Sequence, residues 1–164
     1  MQNDIQVRLA AQSDAEVLVR FNAAMALETE HKVLLPEVIG AGVDYLLGHP
    51  HAGFYLIAEC AGEIAGALLI TSEWSDWRNG NFWWVQSVYV RPELRRRGIY
   101  RALYRHLQSF AAADPSVCGF RLYVERDNQR AQATYQAAGM AKTPYLVFEE
   151  LKPGIRFYEP AGPS

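Results

Sequence analysis

Three apolar segments follow one another in the middle of the chain with no helical segment between them. They are FYLIAEC at 54–60, IAGALLITSEW at 64–74 and FWWVQSVYV at 82–90. Only the short polar turns AGE and SDWRNGN separate them. Tight turns join antiparallel strands, whereas parallel strands need a long crossover. The segments therefore predict a sheet that is at least partly antiparallel, and they exclude a doubly wound dinucleotide fold.

The rest of the chain predicts helices and strands around this sheet. In chain order these are a strand at 5–9, helices at 13–27, 36–47 and 98–113, a strand at 119–124, a helix at 128–139, and a strand at 143–151, with 155–159 as a candidate for one more strand. Ser13 with Glu16 has capping-box spacing, and Gly139 is placed to end its helix. The predicted fold is one α/β (α+β) domain over 1–164 in the order β-α-α-β-β-β-α-β-α-β, with helices on both faces of a mixed central sheet.

Charge, hydropathy and cysteine content exclude several classes of protein. The net charge of −2 and pI near 6.1 disfavour a dedicated nucleic-acid binder. No apolar run reaches the roughly 20 residues of a membrane span, and the N-terminus does not resemble a signal peptide, so we expect a cytoplasmic protein without a membrane partner. Cys60 and Cys118 form no metal-binding or disulfide pattern, and both are expected to be buried.

The segment LRRRGIYR at 94–101 joins the third apolar strand to a helix. A helix N-terminus presents unpaired backbone N–H groups, and a glycine there lets an anion approach the backbone. Arginine side chains add donors suited to phosphate. The local pattern alone is equally consistent with a solvated basic turn.

Two longer stretches resemble one known family. VQSVYVRPELRRRGIYRALYRHL at 85–107 resembles the acyl-CoA-binding segment of the GNAT acetyltransferase superfamily, and LYVERDNQRAQATYQAAGM at 122–140 resembles its next conserved block. EWSDWRNG, FWWVQSVYV and YLVFEEL resemble a bacterial subgroup of unknown acceptor. The family loop commonly ends in a small residue, and this chain has Tyr100 there. The helical pattern places Tyr100 beside the inward stripe, so its ring can point away from a bound phosphate.

The resemblance implies an acetyl-CoA site and no metal. Backbone N–H groups from Arg96 to Tyr100 would hold the pyrophosphate, and main-chain groups of Val88 and Val90 would pair with the pantetheine arm like an added strand. To free that edge the strand must splay from its neighbour, and such folds often use a bulge there. The implied contact residues are Val88, Tyr89, Val90, Arg95, Arg96, Arg97, Gly98, Ile99, Tyr100, Asn128, Ala131 and Tyr135.

The chemistry of acetyl transfer requires a neutral amine, donors for an oxyanion and a proton for the departing thiolate. By the resemblance, Tyr135 is the candidate acid. Gln86 stands where some members of the family carry a glutamate that acts as the general base. A glutamine there can orient the amine or a water. Glu28 continues an apolar helix stripe and is a candidate base, unless the helix ends before it. Other candidates are Glu30 and His31, with Glu73 and Asp76 as attractors for a cationic amine.

The sequence therefore predicts an acetyl-CoA-dependent N-acetyltransferase acting on a primary amine, most simply of a small molecule. A protein lysine or N-terminus is an alternative acceptor, and a non-catalytic CoA sensor is an alternative function. A nucleic-acid-binding function of the arginine run is disfavoured by the acidic pI. A homodimer is left open, because exposed Trp74, Trp77 and Trp83 would suit either an interface or an acceptor pocket.

Overall fold

The central strands form a five-stranded sheet in a computed structural model that describes residues 4–162. Its order is β1-β3-β4-β5-β6, with every neighbouring pair antiparallel except β5 and β6. This confirms the mixed, mostly antiparallel fold that the sequence predicts. The elements are β1 Ile5–Leu9, α1 Ala15–Glu30, β2 Lys32–Leu34, α2 Pro36–Gly48, β3 Phe54–Cys60, β4 Glu63–Ser75, β5 Gly80–Val90, α3 Ile99–Ala113, β6 Val117–Arg121, α4 Gln129–Ala137 and β7 Tyr158–Pro160.

The chain divides into two compact units. Among the described residues, the larger unit, 4–121 with 157–162, holds the sheet and α1 to α3, and the smaller unit, 122–156, holds α4. The turn between β3 and β4 is formed by Ala61 and Gly62, which both have positive φ. Such a two-residue turn matches the right-handed twist of a hairpin.

Both faces of the sheet are covered by helices. Leu18 of α1 and Val43 of α2 are buried against Tyr55, Ile57 and Ala67 of the sheet. Alternate side chains of a strand point to opposite faces, so the neighbouring apolar residues of β3 and β4 pack on the α3 side. The buried residues on that side include Leu56, Leu68, Ile70, Ile99, Leu103 and Leu107.

The start of α1 differs from the predicted capping box. A short 3₁₀ turn, Gln12–Asp14, precedes the helix, and Asp14 rather than Ser13 stabilises the turn. Its carboxylate accepts a hydrogen bond of 2.7 Å from the Ala11 N–H and forms an ion pair of 2.8 Å with Arg8. The buried Asp14 side chain takes the place of the local Ser13–Glu16 pair, so that prediction is wrong. The helix also continues three residues past Leu27, to Glu30.

The C-terminal strands differ from the prediction as well. No strand forms at 143–151, and side chains from Tyr145 to Phe148 are 69–92% exposed. A strand needs a hydrogen-bonding partner, which composition alone does not supply. Of the candidate at 155–159, only the end belongs to β7, which pairs antiparallel with β2, an element absent from the prediction. The strand predicted at 119–124 lies at Val117–Arg121.

Single-residue burial corrects two further expectations. Trp83 is only 9% exposed, because its ring packs edge-on against Phe54 with centroids 5.3 Å apart. Cys60 is buried as expected, whereas Cys118 is exposed because it lies on β6, at the edge of the sheet. Trp77 is 86% exposed, as predicted for the loop.

Candidate functional site

A β-bulge distorts β5 just before its end. Leu69 pairs with Gln86 and Ala67 pairs with Tyr89, so Leu68 alone faces both Ser87 and Val88. Ser87 has a φ of 47°, in the left-handed region. A bulge interrupts the ladder and changes the direction of the strand. The bulge expected from a splayed strand is thus present at Ser87 and Val88.

The other edge of β5 loses its neighbour over the same stretch. The parallel pairing with β6 ends where Trp84 faces Arg121. Between residues 4 and 162, no further strand pairs with this edge from Val85 to Val90. An edge of this kind presents backbone donors and acceptors to an extended ligand.

The arginine loop leads from this edge into α3. Its backbone is left-handed at Arg96, with φ 64°, and at Gly98, with φ 86°. Within the described ranges, the N–H groups of Arg96, Arg97, Gly98 and Ile99 donate to no backbone carbonyl. Alternating backbone hand near a helix N-terminus gathers N–H groups into a concavity that favours anions. The loop therefore has the chemistry of a phosphate site.

The three arginines of the loop have different environments. Arg96 and Arg97 are exposed, and neither makes an ion pair or side-chain hydrogen bond within residues 4–162. Arg95 is half-buried, and its Nε donates to the Val90 carbonyl at 2.9 Å. Its Nη2 donates to Oε2 of Glu28 at 2.7 Å, and its Nη1 donates to Oε1. Two arginines thus remain available to an anion, while the first is held by the protein.

The carboxylate of Glu28 lies in the last turn of α1, because the helix continues past Leu27. The Arg95 guanidinium, by its hydrogen bonds, holds the pKa of Glu28 below its usual range. A carboxylate with a lowered pKa is a weaker proton acceptor. Of the neighbouring candidates, Glu30 pairs with Lys32 at 2.5 Å, and His31 ends the helix with φ 53°.

The carboxylates on the β4–β5 hairpin are also engaged. Glu73 forms an ion pair of 2.5 Å with Arg121, whose guanidinium lies 3.7 Å from the Phe82 ring centroid. Asp76 accepts a hydrogen bond of 2.9 Å from the Trp77 N–H. Asp76 therefore keeps a carboxylate without an ion pair in the described part of the chain.

Aromatic rings flank the loop on both sides. The Tyr89 ring contacts Phe21 of α1 with centroids 4.8 Å apart, and the Arg95 guanidinium lies 5.7 Å from it. The Tyr100 ring stacks on Tyr104 one turn later, at 6.0 Å and 16°. The Tyr100 ring therefore packs along α3 toward Tyr104.

Gln86 lies in the middle of β5 beside the bulge. Its Nε2 donates to Thr71 Oγ1 at 2.5 Å, which leaves the amide oxygen as an acceptor. Because Gln86 pairs with Leu69, both side chains lie on the sheet face that α1 and α2 cover. An amide held in this way can orient a polar group but cannot take its proton.

The smaller unit contains the remaining predicted residues. Asn128 caps α4, since its Oδ1 accepts a hydrogen bond of 3.0 Å from the Ala131 N–H. Tyr135 lies on the same helix face, and burial raises the pKa of its phenol. Gly139, with φ 97°, lies just past the end of α4 and closes the helix, as predicted.

The sequence analysis missed three polar residues of the larger unit, which lie beside Gln86, at the bulge and at the arginine loop. Thr71 is the partner of Gln86, and Ser87 is the bulged residue with positive φ. Arg101 would lie 3.8 Å from a Cβ added at Gly98, so it brings another cation to the loop. Only Arg101 has a sequence signal, because it follows Arg97 by one helical turn.

Neither a metal site nor a membrane-spanning helix is found among residues 4–162. No group of three potential metal-binding side chains occurs within the described residues. Every helix among those residues is too short or too polar to cross a bilayer.

Comparison with known proteins identifies the family. The model of the acetyltransferase (GNAT) family matches residues 23–140. A possible acetyltransferase from Clostridium difficile 630 is 38% identical, with a TM-score of 0.84 over 90% of this chain and 97% of that one. No curated protein matches the chain significantly.

Two more distant structures share the fold. The aminoglycoside N-acetyltransferase AAC(6')-Iy in complex with CoA is 16% identical, with a TM-score of 0.73 over 93% of this chain and 97% of that one. Ribosomal-protein-alanine N-acetyltransferase from Brucella melitensis biovar Abortus 2308 is 19% identical, with a TM-score of 0.71 over 90% and 99%. With the family match over most of its length, the chain belongs to the GNAT acetyltransferase family and is an N-acetyltransferase.

Proposed function

We propose that the protein transfers an acetyl group from acetyl-CoA to a primary amine of a small molecule. The observation that carries this proposal is the bulged β5 with an unpaired edge that leads directly into the N-terminus of α3. An extended pantetheine arm suits the edge, and a pyrophosphate suits the backbone N–H groups at the helix start.

Each part of acetyl-CoA has its own proposed contacts. The pantetheine arm pairs with Val88 and Val90, the pyrophosphate binds the N–H groups from Arg96 to Tyr100, and Arg97 supplies charge. The AAC(6')-Iy structure contains CoA, and its likeness in fold supports the same cofactor here. Asn128 and Ala131 are proposed to lie near the arm, as the family resemblance implies.

The proposed reaction forms one bond and breaks another. The neutral amine nitrogen attacks the acetyl carbonyl carbon, an amide forms, and the C–S bond breaks. Tyr135 gives its phenolic proton to the departing thiolate and regains one from solvent. Burial raises the pKa of Tyr135 above its usual 10, which keeps this donor protonated at neutral pH.

The proton of the amine needs a different acceptor. Glu28 is ion-paired and has a lowered pKa, so it is poorly suited to this role. We propose that Gln86, held by Thr71, orients the amine or a water that carries the proton to solvent. The assignment of a general base to Glu28 stays a prediction, with kcat as its readout.

The surface of the β4–β5 hairpin supports an amine as the acceptor. Trp74 and Trp77 are exposed there, and the Asp76 carboxylate accepts a hydrogen bond from the Trp77 N–H. Aromatic faces and a carboxylate attract an ammonium group. AAC(6')-Iy, a protein of the same fold, is named for a small-molecule acceptor, the aminoglycosides. A cytoplasmic location and a homodimer stay predictions.

A thiol-release assay tests this function. Acetyl-CoA is mixed with the protein and a panel of small polyamines, aminoglycosides and lysine-containing or free-N-terminal peptides, and free CoA is measured. We expect amine-dependent release with at least one small amine and none without amine. Release with peptides alone would favour a protein acceptor. CoA binding without release by any amine would favour the sensor alternative.

A further inference from the structure

The first arginine of the loop is held by two other elements of the larger unit. Its Nε binds the Val90 carbonyl at the end of β5, and its two Nη groups bind both carboxylate oxygens of Glu28. We propose that Arg95 is a positioning residue rather than a phosphate ligand. With Glu28 it forms a clamp that fixes the backbone of the anion-binding loop against α1.

The geometry favours a fixed clamp. A fork-shaped pair between a guanidinium and a carboxylate has two parallel hydrogen bonds, which set orientation as well as distance. The bond to Val90 adds a third contact from the same group. Since Arg95 directly precedes the left-handed Arg96, holding its side chain fixes where the chain leaves β5 and turns toward the helix.

The surrounding rings support the same conclusion. The Arg95 guanidinium lies beside the Tyr89 ring, which in turn packs on Phe21 of α1. Helix α1 and the end of β5 therefore meet through packing at Phe21 as well as through charge at Glu28. A phosphate would have to displace a carboxylate that already occupies the fork, whereas exposed Arg96 and Arg97 have no such competitor among the described residues.

The substitution Glu28→Gln distinguishes the clamp from an alternative in which Arg95 exchanges Glu28 for a phosphate. If Arg95 left Glu28 to bind phosphate, Glu28→Gln would free the arginine and tighten CoA binding. If the pair is a clamp, Glu28→Gln loosens the loop and weakens CoA binding. If Glu28 were instead a general base, the substitution would lower kcat and leave CoA affinity unchanged.

A double-mutant cycle with coenzyme A as the probe tests the clamp. Calorimetry gives the Kd of CoA for the wild type, Glu28→Gln, Arg95→Gln and the double variant. We expect each single variant to bind CoA about 5- to 10-fold more weakly than the wild type. The double variant should bind no more weakly than either single variant, because all three lose the same Glu28–Arg95 contact. The KM of acetyl-CoA should rise equally while kcat stays within about twofold. Circular dichroism confirms folding at the temperature used.

Matched variants separate the clamp from general charge effects. Glu16→Gln removes another ion-paired carboxylate of α1, that of the Glu16–Arg20 pair, and should leave the Kd unchanged. Arg97→Gln should weaken binding independently, so that its effect multiplies with that of Glu28→Gln. Arg95→Lys keeps the charge without the fork and should lie between wild type and Arg95→Gln, which also covers a failure of Arg95→Gln to fold.

The outcomes distinguish this inference from the proposed function on which it rests. Unchanged or tighter CoA binding by Glu28→Gln, or multiplying effects of the two singles, would overturn the clamp and leave the function standing. A wild type that binds no CoA would overturn both. A coupled pair in a protein without turnover would support the clamp and refute the enzymatic proposal.

Discussion

Tyr135 and Glu28 show how environment assigns protons to side chains in this protein. Burial raises the pKa of the Tyr135 phenol, and the Arg95 guanidinium lowers the pKa of the Glu28 carboxyl. At neutral pH the first is therefore a proton donor and the second an ion. A protonated Tyr135 suits the proposed role of proton donor to the departing thiolate. An ion-paired Glu28 suits a structural role.

Replacement of Tyr135 by phenylalanine tests the proposed donor. The change keeps the ring and removes only the hydroxyl, so kcat should fall by about 10- to 1000-fold, the range of general-acid assistance. The thermal shift caused by CoA should stay near that of the wild type. Because the phenol pKa is raised, its deprotonation should not lower the wild-type rate below about pH 10. Equal kcat values for the two proteins would refute the assignment.

The three adjacent arginines mark the limit of sequence-based prediction for single side chains. The pattern of a strand, a basic loop and a glycine correctly indicated backbone N–H groups at a helix start. It could not distinguish Arg95 from Arg96 and Arg97, because the partner of Arg95 lies 67 positions away. The short-range patterns used for helices and strands carry no information on such contacts.

Strands and helices were predicted best where a segment has a clear apolar pattern and turn residues on both sides. The hairpin strands and α3 agree with the prediction to within a few residues. The segment at 143–151 has strand-like composition and forms no strand. Strand formation depends on a partner that composition does not specify, so this error has a physical cause.

The bulge in β5 offers a test of stability. Ser87 adopts a left-handed conformation that costs a residue with a side chain about 1–2 kcal/mol and costs glycine little. After the entropic cost of glycine, Ser87→Gly should raise the free energy of unfolding by roughly 0.5 kcal/mol. Denaturant unfolding measures this change.

The control for this change is Ser72→Gly on β4. Ser72 is exposed and lies in a regular part of the strand, without positive φ. Glycine there should lower the free energy of unfolding by about 0.5–1 kcal/mol. If the two variants shift stability in the same direction, the strain assigned to Ser87 does not exist.

Ligand binding should stabilise the folded chain as a unit. Acetyl-CoA at 100 times its Kd adds about 2.7 kcal/mol by mass action, which corresponds to roughly 5–10 °C in Tm for a protein of this size. Pantetheine, which lacks the phosphates, should give a much smaller shift. Differential scanning fluorimetry measures both, and an unchanged Tm with millimolar CoA would contradict the anion site.

Two glycine variants test whether the thermal shift caused by acetyl-CoA depends on the start of α3. Gly98→Val places a branched side chain at φ 86°, which should disturb the loop and reduce the shift with acetyl-CoA. Gly42→Val lies in α2, where nothing is within 4 Å of an added Cβ, and should leave the shift unchanged. Equal shifts in the two variants would show that the start of α3 does not hold the ligand.

The unpaired edge of β5 also affects how the empty protein behaves among its own copies. A free strand edge is a template for strands of other chains, and long, flat edges promote aggregation. Here the edge runs only from Val85 to Val90, and the bulge at Ser87 interrupts it. Two short, misaligned pieces give another chain no continuous register to pair with. The bulge that interrupts the edge proposed to bind the pantetheine arm therefore also protects the protein against edge-to-edge association.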